Sequence, residues 1–203
     1  MEFFKPWVGC SYNTGGIFGK RIMVLGDSHY CGEDCKECGL SPKSWCRDFT
    51  TRVVRDYLDQ DNEREGWMAT YLKFERSLVN HVTTPDESIK IWNSLLFYNY
   101  LQIALQGPRQ AGTSEQYQAA AGPFFDVMDK YRPDLLIVWG VRLWENLPSE
   151  RWTEGNDFKV DGYAINNGYY TLSNGNKVRA ICVYHPSVGY SWDYWYKAIS
   201  KLL

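Results

Sequence analysis

The chain has 203 residues, is 44% hydrophobic and carries a formal net charge of −2. This length and apolar content predict one well-buried core, so we expect a single domain over residues 1–203. The slight acidity excludes a surface that holds nucleic acid through positive charge alone, so any DNA contact must be local. The sequence has no apolar run of eighteen residues and no export signal, which predicts a cytoplasmic protein that does not span a membrane.

The first predicted element is a buried strand at residues 21–25, where a β-branched and aliphatic run ends at Gly26 and a polar elbow. A cysteine-rich loop insertion at about 31–46 follows the elbow. The segment 49–58 then keeps its apolar residues at helical spacing, which predicts a helix.

A second helix begins within residues 83–88, where Pro85 suits a first turn and acidic residues complement the helix dipole. It leads to an apolar run at 95–98 with Asn99 at its end. We interpret this run as a strand, although periodicity alone leaves a helix open there.

The next pair of elements is a helix over residues 114–131 and a strand in "RPDLLIVWG", residues 132–140. Pro133 ends the helix, and Gly140 closes a run of five apolar residues. A short helix is predicted in "VRLWENLP", residues 141–148.

A hairpin region follows at residues 158–187, in which "NNG" and "SNGN" are turn signals. Its last arm, 178–184, delivers the tripeptide "HPS", and an aromatic helix occupies 191–203. Helices alternating with buried strands predict an α/β three-layer sandwich with a central, mainly parallel sheet of four or five strands.

Ligands of such sheets bind outside the carboxyl ends of the strands. The residues that follow the four predicted strands are Asp27, Ser28, His29, Asn99, Gly140, His185, Pro186 and Ser187. One edge of the sheet should therefore collect an acid, an amide and an imidazole.

The motifs "VLGDSHY", "LLFYNYLQ", "RPDLLIVWG" and "VYHPSVGYS" resemble, in this order, those of the uracil-DNA glycosylase superfamily. The similarity extends over nearly the whole chain, and "HPS" after a buried strand is its strongest part. The resemblance implies a uracil-DNA glycosylase-like fold and hydrolysis of the N-glycosidic bond of uracil or a related modified base in DNA. It implies no required cofactor. We expect a monomer whose partner is DNA or a free base or nucleotide.

The resemblance also assigns roles to the residues at the strand ends. Asp27 would position or activate the attacking water, and His185 would stabilise the negative charge on the departing base. Asn99 would pair with the uracil edge, since a side-chain amide offers both a donor and an acceptor.

Further residues complete the implied site. The backbone around Ser28 and His29 would line the base pocket, and Phe49 would stack on the flipped base. The implied DNA-contacting residues are Ser187, Val188, Gly189 and Tyr190. This loop lacks the family's usual Leu or Arg wedge, so single-stranded or weakly paired DNA is the expected substrate.

Four cysteines of the loop insertion, Cys31, Cys35, Cys38 and Cys46, have the spacing C-x3-C-x2-C-x7-C. Four thiolates on a short loop can close a tetrahedral structural zinc site. Reduced thiols without a metal and a [4Fe–4S] cluster are the alternatives.

Two other functions fit parts of the same pattern. "GDSH" is also compatible with an SGNH-type serine esterase, with Ser28 as nucleophile, residues 155–157 as an oxyanion element and His185 as base. Cys182 stands where such enzymes usually carry the Asp that orients the His. The third hypothesis is a non-catalytic nucleotide- or partner-binding module on the glycosylase-like fold.

Overall fold

The fold is described from a computed structural model, which covers residues 2–31, 44–107 and 110–203. Its strands are β1 (Trp7–Val8), β2 (Ile22–Gly26), β3 (His29–Tyr30), β4 (Leu95–Asn99), β5 (Ala104–Leu105), β6 (Leu135–Trp139), β7 (Trp152–Glu154), β8 (Lys159–Val160), β9 (Tyr163–Ala164), β10 (Asn167–Thr171) and β11 (Lys177–Val183). Its α-helices are α1 (Phe49–Leu58), α2 (Met68–Val79), α3 (Pro85–Trp92), α4 (Ser114–Tyr131), α5 (Val141–Glu145) and α6 (Trp192–Ile199).

Within these residues the central sheet has seven strands in the order β1-β4-β2-β6-β11-β10-β7. The strands β4, β2, β6 and β11 pair in parallel and are the four strands that the sequence predicts. β1, β10 and β7 join antiparallel to their neighbours. The expected sheet of four or five strands is therefore corrected to a mixed sheet of seven, because the hairpin arm and two very short edge strands extend the parallel centre.

Helices cover both faces of this sheet, because successive residues of each buried strand point to opposite sides. In β2, Ile22 and Val24 join one apolar cluster, and Met23 and Leu25 join the other. The first cluster contains side chains of α1, α2, α3 and α6, and the second contains side chains of α4 and α5. The expected α/β arrangement of three layers is confirmed.

Several helix boundaries follow from local sequence. Thr84 and Glu87 form a capping box at the start of α3, with Pro85 in the first turn. Thr113 and Gln116 form a second capping box at α4. These reciprocal bonds satisfy amide groups that a helix start leaves without partners.

The predictions of a loop insertion and of no membrane span can be compared with the described residues only. Most of the loop insertion at 31–46 lies outside them, and the chain resumes as a short 3-10 helix, Ser44–Asp48, that leads into α1. None of the described helices has the length and apolar character needed to cross a lipid bilayer.

Candidate active site

The carboxyl ends of the four parallel strands meet at one edge of the sheet. Gly26 is in register with Asn99, and the amide of Gly140 donates to the carbonyl of Val183 over 2.8 Å. Asp27, the residues after Gly140 and His185 therefore leave the sheet side by side. We call this region the mouth, defined by Asp27, Asn99, Gly140 and His185.

Asn99 is almost fully buried at the mouth and packs directly over Gly26. A Cβ atom at position 26 would overlap the side-chain oxygen of Asn99, so only glycine allows this approach. The amide nitrogen of Asn99 lies 3.1 Å from the ring nitrogens of His29. The predicted base-binding amide and imidazole are thus in direct contact.

His29 is buried between aromatic rings and stays neutral. Its ring centroid lies 4.5 Å from that of Phe49 and 4.9 Å from that of Phe4. Its Nε2 lies 2.8 Å from the hydroxyl of Thr50. Burial, assisted by the positive charge of Arg52, lowers the pKa of His29 to about 3.

Asp27 is buried and held by residues from two helices. Tyr117 of α4 donates its hydroxyl to Oδ1 over 2.9 Å. Arg142 of α5 donates from Nε over 3.0 Å and from Nη2 over 2.5 Å to Oδ2. Burial and then the charge of Asp27 raise the pKa of Tyr117 to about 12, so this hydroxyl remains a donor.

Arg142 reaches Asp27 because the chain turns sharply after β6. Gly140 has a φ of 99°, a conformation that L residues rarely adopt, and α5 begins at the next residue. The guanidinium lies on the second residue of that helix with 45% of its side chain exposed. The ion pair therefore forms where the mouth meets solvent.

His185 has a defined tautomer at the end of β11. The backbone N–H of Ser187, 3.2 Å away, can only donate, so Nδ1 of His185 accepts and the neutral ring carries its proton on Nε2. The Ser187 hydroxyl also lies 2.7 Å from Nδ1. Burial lowers the pKa of His185, the charge of Asp27 opposes this shift, and the charge of Arg142 adds to it. The three groups thus share one electrostatic environment.

The remaining predicted residues divide into two groups. Ser28 is half-buried between Asp27 and His29, and Val188 is 65% exposed beside the exposed Gly189. Tyr190, in contrast, is buried, with its ring against Trp195 and its hydroxyl 2.7 Å from that of Ser77. Tyr190 therefore anchors the loop in the core and presents little surface for contact with DNA.

The elements of the esterase hypothesis do not come together. Residues 155–157 follow β7, which lies four strands from β2, or roughly 19 Å at the usual strand spacing. Nδ1 of His185 bonds Ser187, whereas a serine triad needs a carboxylate at that nitrogen. Cys182, three residues before His185, points its thiol to the carbonyl of Val183.

Only the two ends of the predicted zinc loop lie within the described residues. Cys31 and Cys46 pack against the same small cluster, which contains Phe4 and Ala104. Cys35 and Cys38 lie outside the described residues. Within the described part of the chain, no group of three or more His, Cys, Asp or Glu side chains is placed to hold a metal ion. The four-cysteine site stays a prediction.

Two residues that bind Asp27 of the mouth, Arg142 and Tyr117, were not predicted from the sequence. Arg142 comes two residues after Gly140, so the strand-end rule could have included it. Tyr117 lies inside α4 and carries no local signal. No protein-family model matches the chain, and no curated protein matches it. The function must therefore be argued from the geometry of the mouth.

Proposed function

We propose that the protein is a monofunctional DNA glycosylase that hydrolyses the N-glycosidic bond of uracil or a related modified base. The observation that carries this proposal is the pairing of a fixed carboxylate, Asp27, with a neutral imidazole, His185, at one strand-end mouth. The buried amide of Asn99, at the end of the neighbouring strand β4, supplies a polar group for a base edge. The family resemblance of the motifs supports the same reaction.

The reaction forms a positive charge on the sugar and a negative charge on the base. Asp27 suits the first charge and His185 suits the second. As the bond between the sugar carbon and the base nitrogen breaks, its electron pair moves to the base and the sugar becomes cationic. The Nε2–H of His185 stabilises the negative charge on the base oxygen. Asp27 stabilises the cationic sugar, and its oxygens can accept from a water that adds to the sugar carbon. The sugar carbon keeps the hydroxyl of the water, and the departing base gains a proton in exchange for the one that the water releases.

We propose a base pocket at Asn99 and the rings of His29 and Phe49, three side chains that pack together. A pocket of this kind binds a base that has left the duplex stack or was never paired. Because the formal net charge is −2, the protein lacks the general positive surface that would hold a duplex while the base is flipped. Single-stranded or weakly paired DNA is the proposed substrate.

Release of a base from uracil-containing oligonucleotides tests this proposal. The protein is incubated with single-stranded and double-stranded substrates, and alkali then cleaves the strand at each abasic site. We expect cleavage after alkali, faster on single strands, and no nick before alkali because no amine is proposed to act as nucleophile. Intact strands with uracil and with several other modified bases would contradict the proposal. A fluorophosphonate that labels catalytic serines should leave the protein unlabelled.

A non-catalytic nucleotide-binding module is the second candidate, and one observation favours it. Both oxygens of Asp27 already accept hydrogen bonds from Tyr117 and Arg142, which reduces their capacity to activate water. This candidate predicts binding of uracil or a nucleotide without release of any base. Calorimetric titration with free uracil and with dUMP, beside the cleavage assay, separates the two.

A further inference from the structure

A second cleft of about 450 Å³ opens beside the mouth. Its walls carry four aromatic rings, those of Tyr163, Tyr184, Tyr194 and Trp195. None of these four residues belongs to the site predicted from the sequence. We call this region the aromatic cleft.

The aromatic cleft and the mouth are lined by residues that are neighbours in the chain. Tyr184 lines the cleft, and the next residue, His185, lies in the mouth. Val141 also lines the cleft, and the next residue, Arg142, holds Asp27. Consecutive Cα atoms are about 3.8 Å apart, so one extended ligand can occupy both places.

Two rings of the cleft are exposed to solvent, although the residues that carry them are held by neighbouring structure. Tyr163 is 71% exposed and Tyr184 is 55% exposed, although both are large aromatic side chains. Tyr184 packs edge-on against Trp195, whose ring also stacks on the buried Tyr190 and meets the edge of Tyr194. Tyr163 follows a tight turn at Asp161, which bonds Lys197 of α6 over 2.6 Å. The Tyr184 ring therefore needs little ordering when a ligand binds, and the backbone of Tyr163 is held by the hairpin of β8 and β9.

The chemistry of the cleft fits a flat, uncharged ring. The side chain of Asn166 at its rim offers a donor and an acceptor for a base edge. Burial raises the pKa of the Cys182 thiol to about 12, so this wall of the cleft is neutral and unreactive. Aromatic side chains stack on any base without reading its sequence.

We propose that the aromatic cleft binds the nucleobase adjacent to the excised one in a single-stranded DNA substrate. This subsite rests on the proposed function of the mouth. Arg142 lies between the two places, and two of its five N–H groups bond Asp27. Its exposed side can contact the phosphate that links the two nucleotides. Stacking in the cleft then fixes the register that delivers the neighbouring base to Asn99.

Binding of unmodified DNA tests the subsite without requiring catalysis. A labelled oligothymidylate of eight nucleotides is titrated with wild-type protein, with Tyr163→Ala and with Tyr184→Ala, and its fluorescence anisotropy is measured. We expect each alanine variant to bind about fivefold or more weakly, because one stacked base is lost. Tyr163→Phe and Tyr184→Phe keep their rings and should bind like wild type. Tyr131→Ala removes a ring at the end of α4, at the opposite edge of the sheet, and should also bind like wild type.

An oligothymidylate with abasic sites in place of all bases completes the design. The alanine variants should bind it like wild type, since it has nothing to stack. Wild-type affinity of both alanine variants for the normal strand would overturn the subsite, as would equal weakening on the abasic strand. If the cleft instead binds an apolar peptide, both alanine variants should bind the normal strand with wild-type affinity.

Base release then separates failure of the subsite from failure of the proposed function. On a uracil strand, replacing the adjacent base by an abasic site should raise KM about fivefold with kcat unchanged, and Tyr184→Ala should abolish this difference. If wild-type protein releases no base from any strand, the glycosylase proposal fails while the anisotropy titrations still decide the subsite. If base release is normal but ignores the adjacent base and Tyr184, the subsite alone fails.

Discussion

At Asp27, three hydrogen bonds fix a buried carboxylate in a single orientation. The Asp27→Asn variant keeps the size of the side chain but removes its charge and turns an amide toward donors. We expect base release to fall about 100-fold or more, the usual scale for an electrostatic or acid–base group. Single-turnover rates on a uracil oligonucleotide measure this, with the exposed Asp61→Asn as control. An Asp27→Asn rate close to wild type would remove the carboxylate from the mechanism.

His185 allows a test of its tautomer as well as its role. Because the Ser187 amide donates to Nδ1 and burial lowers the pKa, ¹⁵N NMR of the ring should show a neutral Nε2–H form at pH 7. His185→Ala should lower base release about 100-fold. A ring protonated on Nδ1 at pH 7 would contradict the proposed donor even if the variant were inactive.

His29 should make stability depend on pH. Its pKa of about 3 in the folded protein lies below the ordinary value of 6.5, so between these values the unfolded chain binds a proton that the folded ring does not. Stability from His29 is therefore complete above about pH 6.5 and falls by up to about 1.4 kcal/mol per pH unit below it. Denaturant unfolding at pH 7 and pH 5 should show a smaller loss for His29→Gln than for wild type. The exposed His81→Gln should retain the wild-type loss.

The sequence located Asp27, Asn99 and His185 because parallel strands place their carboxyl ends at one edge. Whether a side chain inside α4 reaches that edge depends on how the helix packs, and no local pattern encodes it. Tyr117 was missed for this reason, whereas Arg142, two residues after Gly140, lay within reach of the strand-end rule. Tyr190 shows the converse, since its place in the loop suggested DNA while its ring fills the core.

At the scale of elements, Glu75 joins α2 to α1 and α3. This fully buried carboxylate accepts from Tyr57, Trp92 and Ser88 over 2.8, 2.9 and 2.6 Å, and also from Thr83. Glu75→Leu leaves the Trp92 and Tyr57 donors buried without an acceptor. We expect the free energy of unfolding to fall by at least about 2 kcal/mol. Urea unfolding measures this, and an unchanged midpoint would show that the donors find other partners.

Glu65→Gln, at an exposed carboxylate just before α2, is the matched control and should unfold like wild type. Glu75 also explains why α2 was absent from the predicted elements. Its buried face mixes Glu75 and Ser77 with apolar residues, and Trp67 at its start forms no side-chain cap. The helices α3 and α4, which have capping boxes, were recognised.

The strand β10 shows tertiary contacts overriding a turn signal. "NNG" predicted a turn at 166–168, but Asn167 and Gly168 begin the strand. The Trp152 ring of β7 lies against Gly168, where a Cβ would overlap it. The buried amide of Asn167 donates to the carbonyls of Asn156 and Ile165. These contacts hold β10, an arm of the predicted hairpin, against β7, a strand that the sequence pattern did not reveal.

The cysteine loop between β3 and α1 supplies a metal prediction. If thiolates of Cys31, Cys35, Cys38 and Cys46 bind zinc, elemental analysis of protein purified without chelator should give about one zinc per chain. The metal would stiffen the connection from Asp27 to Phe49 without acting on the substrate, because four sulfurs leave no open position. Cys38→Ser should lower the zinc content. Absorption near 400 nm would instead indicate an iron–sulfur cluster. If the protein contains neither zinc nor iron, the cysteines are reduced thiols without a metal.

For the molecule as a whole, helices cover both faces of the sheet, and the mouth and the aromatic cleft share the edge where the parallel strands end. Recognition at that edge would depend on rings and on few charges. Tyr184 and Val188 flank His185 in the chain, and Val141 follows Gly140, which packs against His185; these three residues are 55%, 65% and 37% exposed. Such an edge can stack on the accessible bases of single-stranded DNA. It is less suited to duplex DNA, which presents mainly phosphates.

The salt dependence of DNA binding follows from this balance of charge. Each phosphate neutralised on a single strand contributes about −0.7 to the slope of log K against log salt. With a net charge of −2, and with Arg142 and Arg52 as cations near the mouth, we expect one or two phosphate contacts and a slope between about −0.7 and −1.4. Anisotropy titrations of oligothymidylate at several salt concentrations measure it. Arg142→Gln should flatten the slope by about 0.7, while Arg132→Gln, at the opposite edge of the sheet, should leave it unchanged. A wild-type slope steeper than about −3 would show that binding relies on phosphates, and stacking at this edge would then be a minor part of recognition.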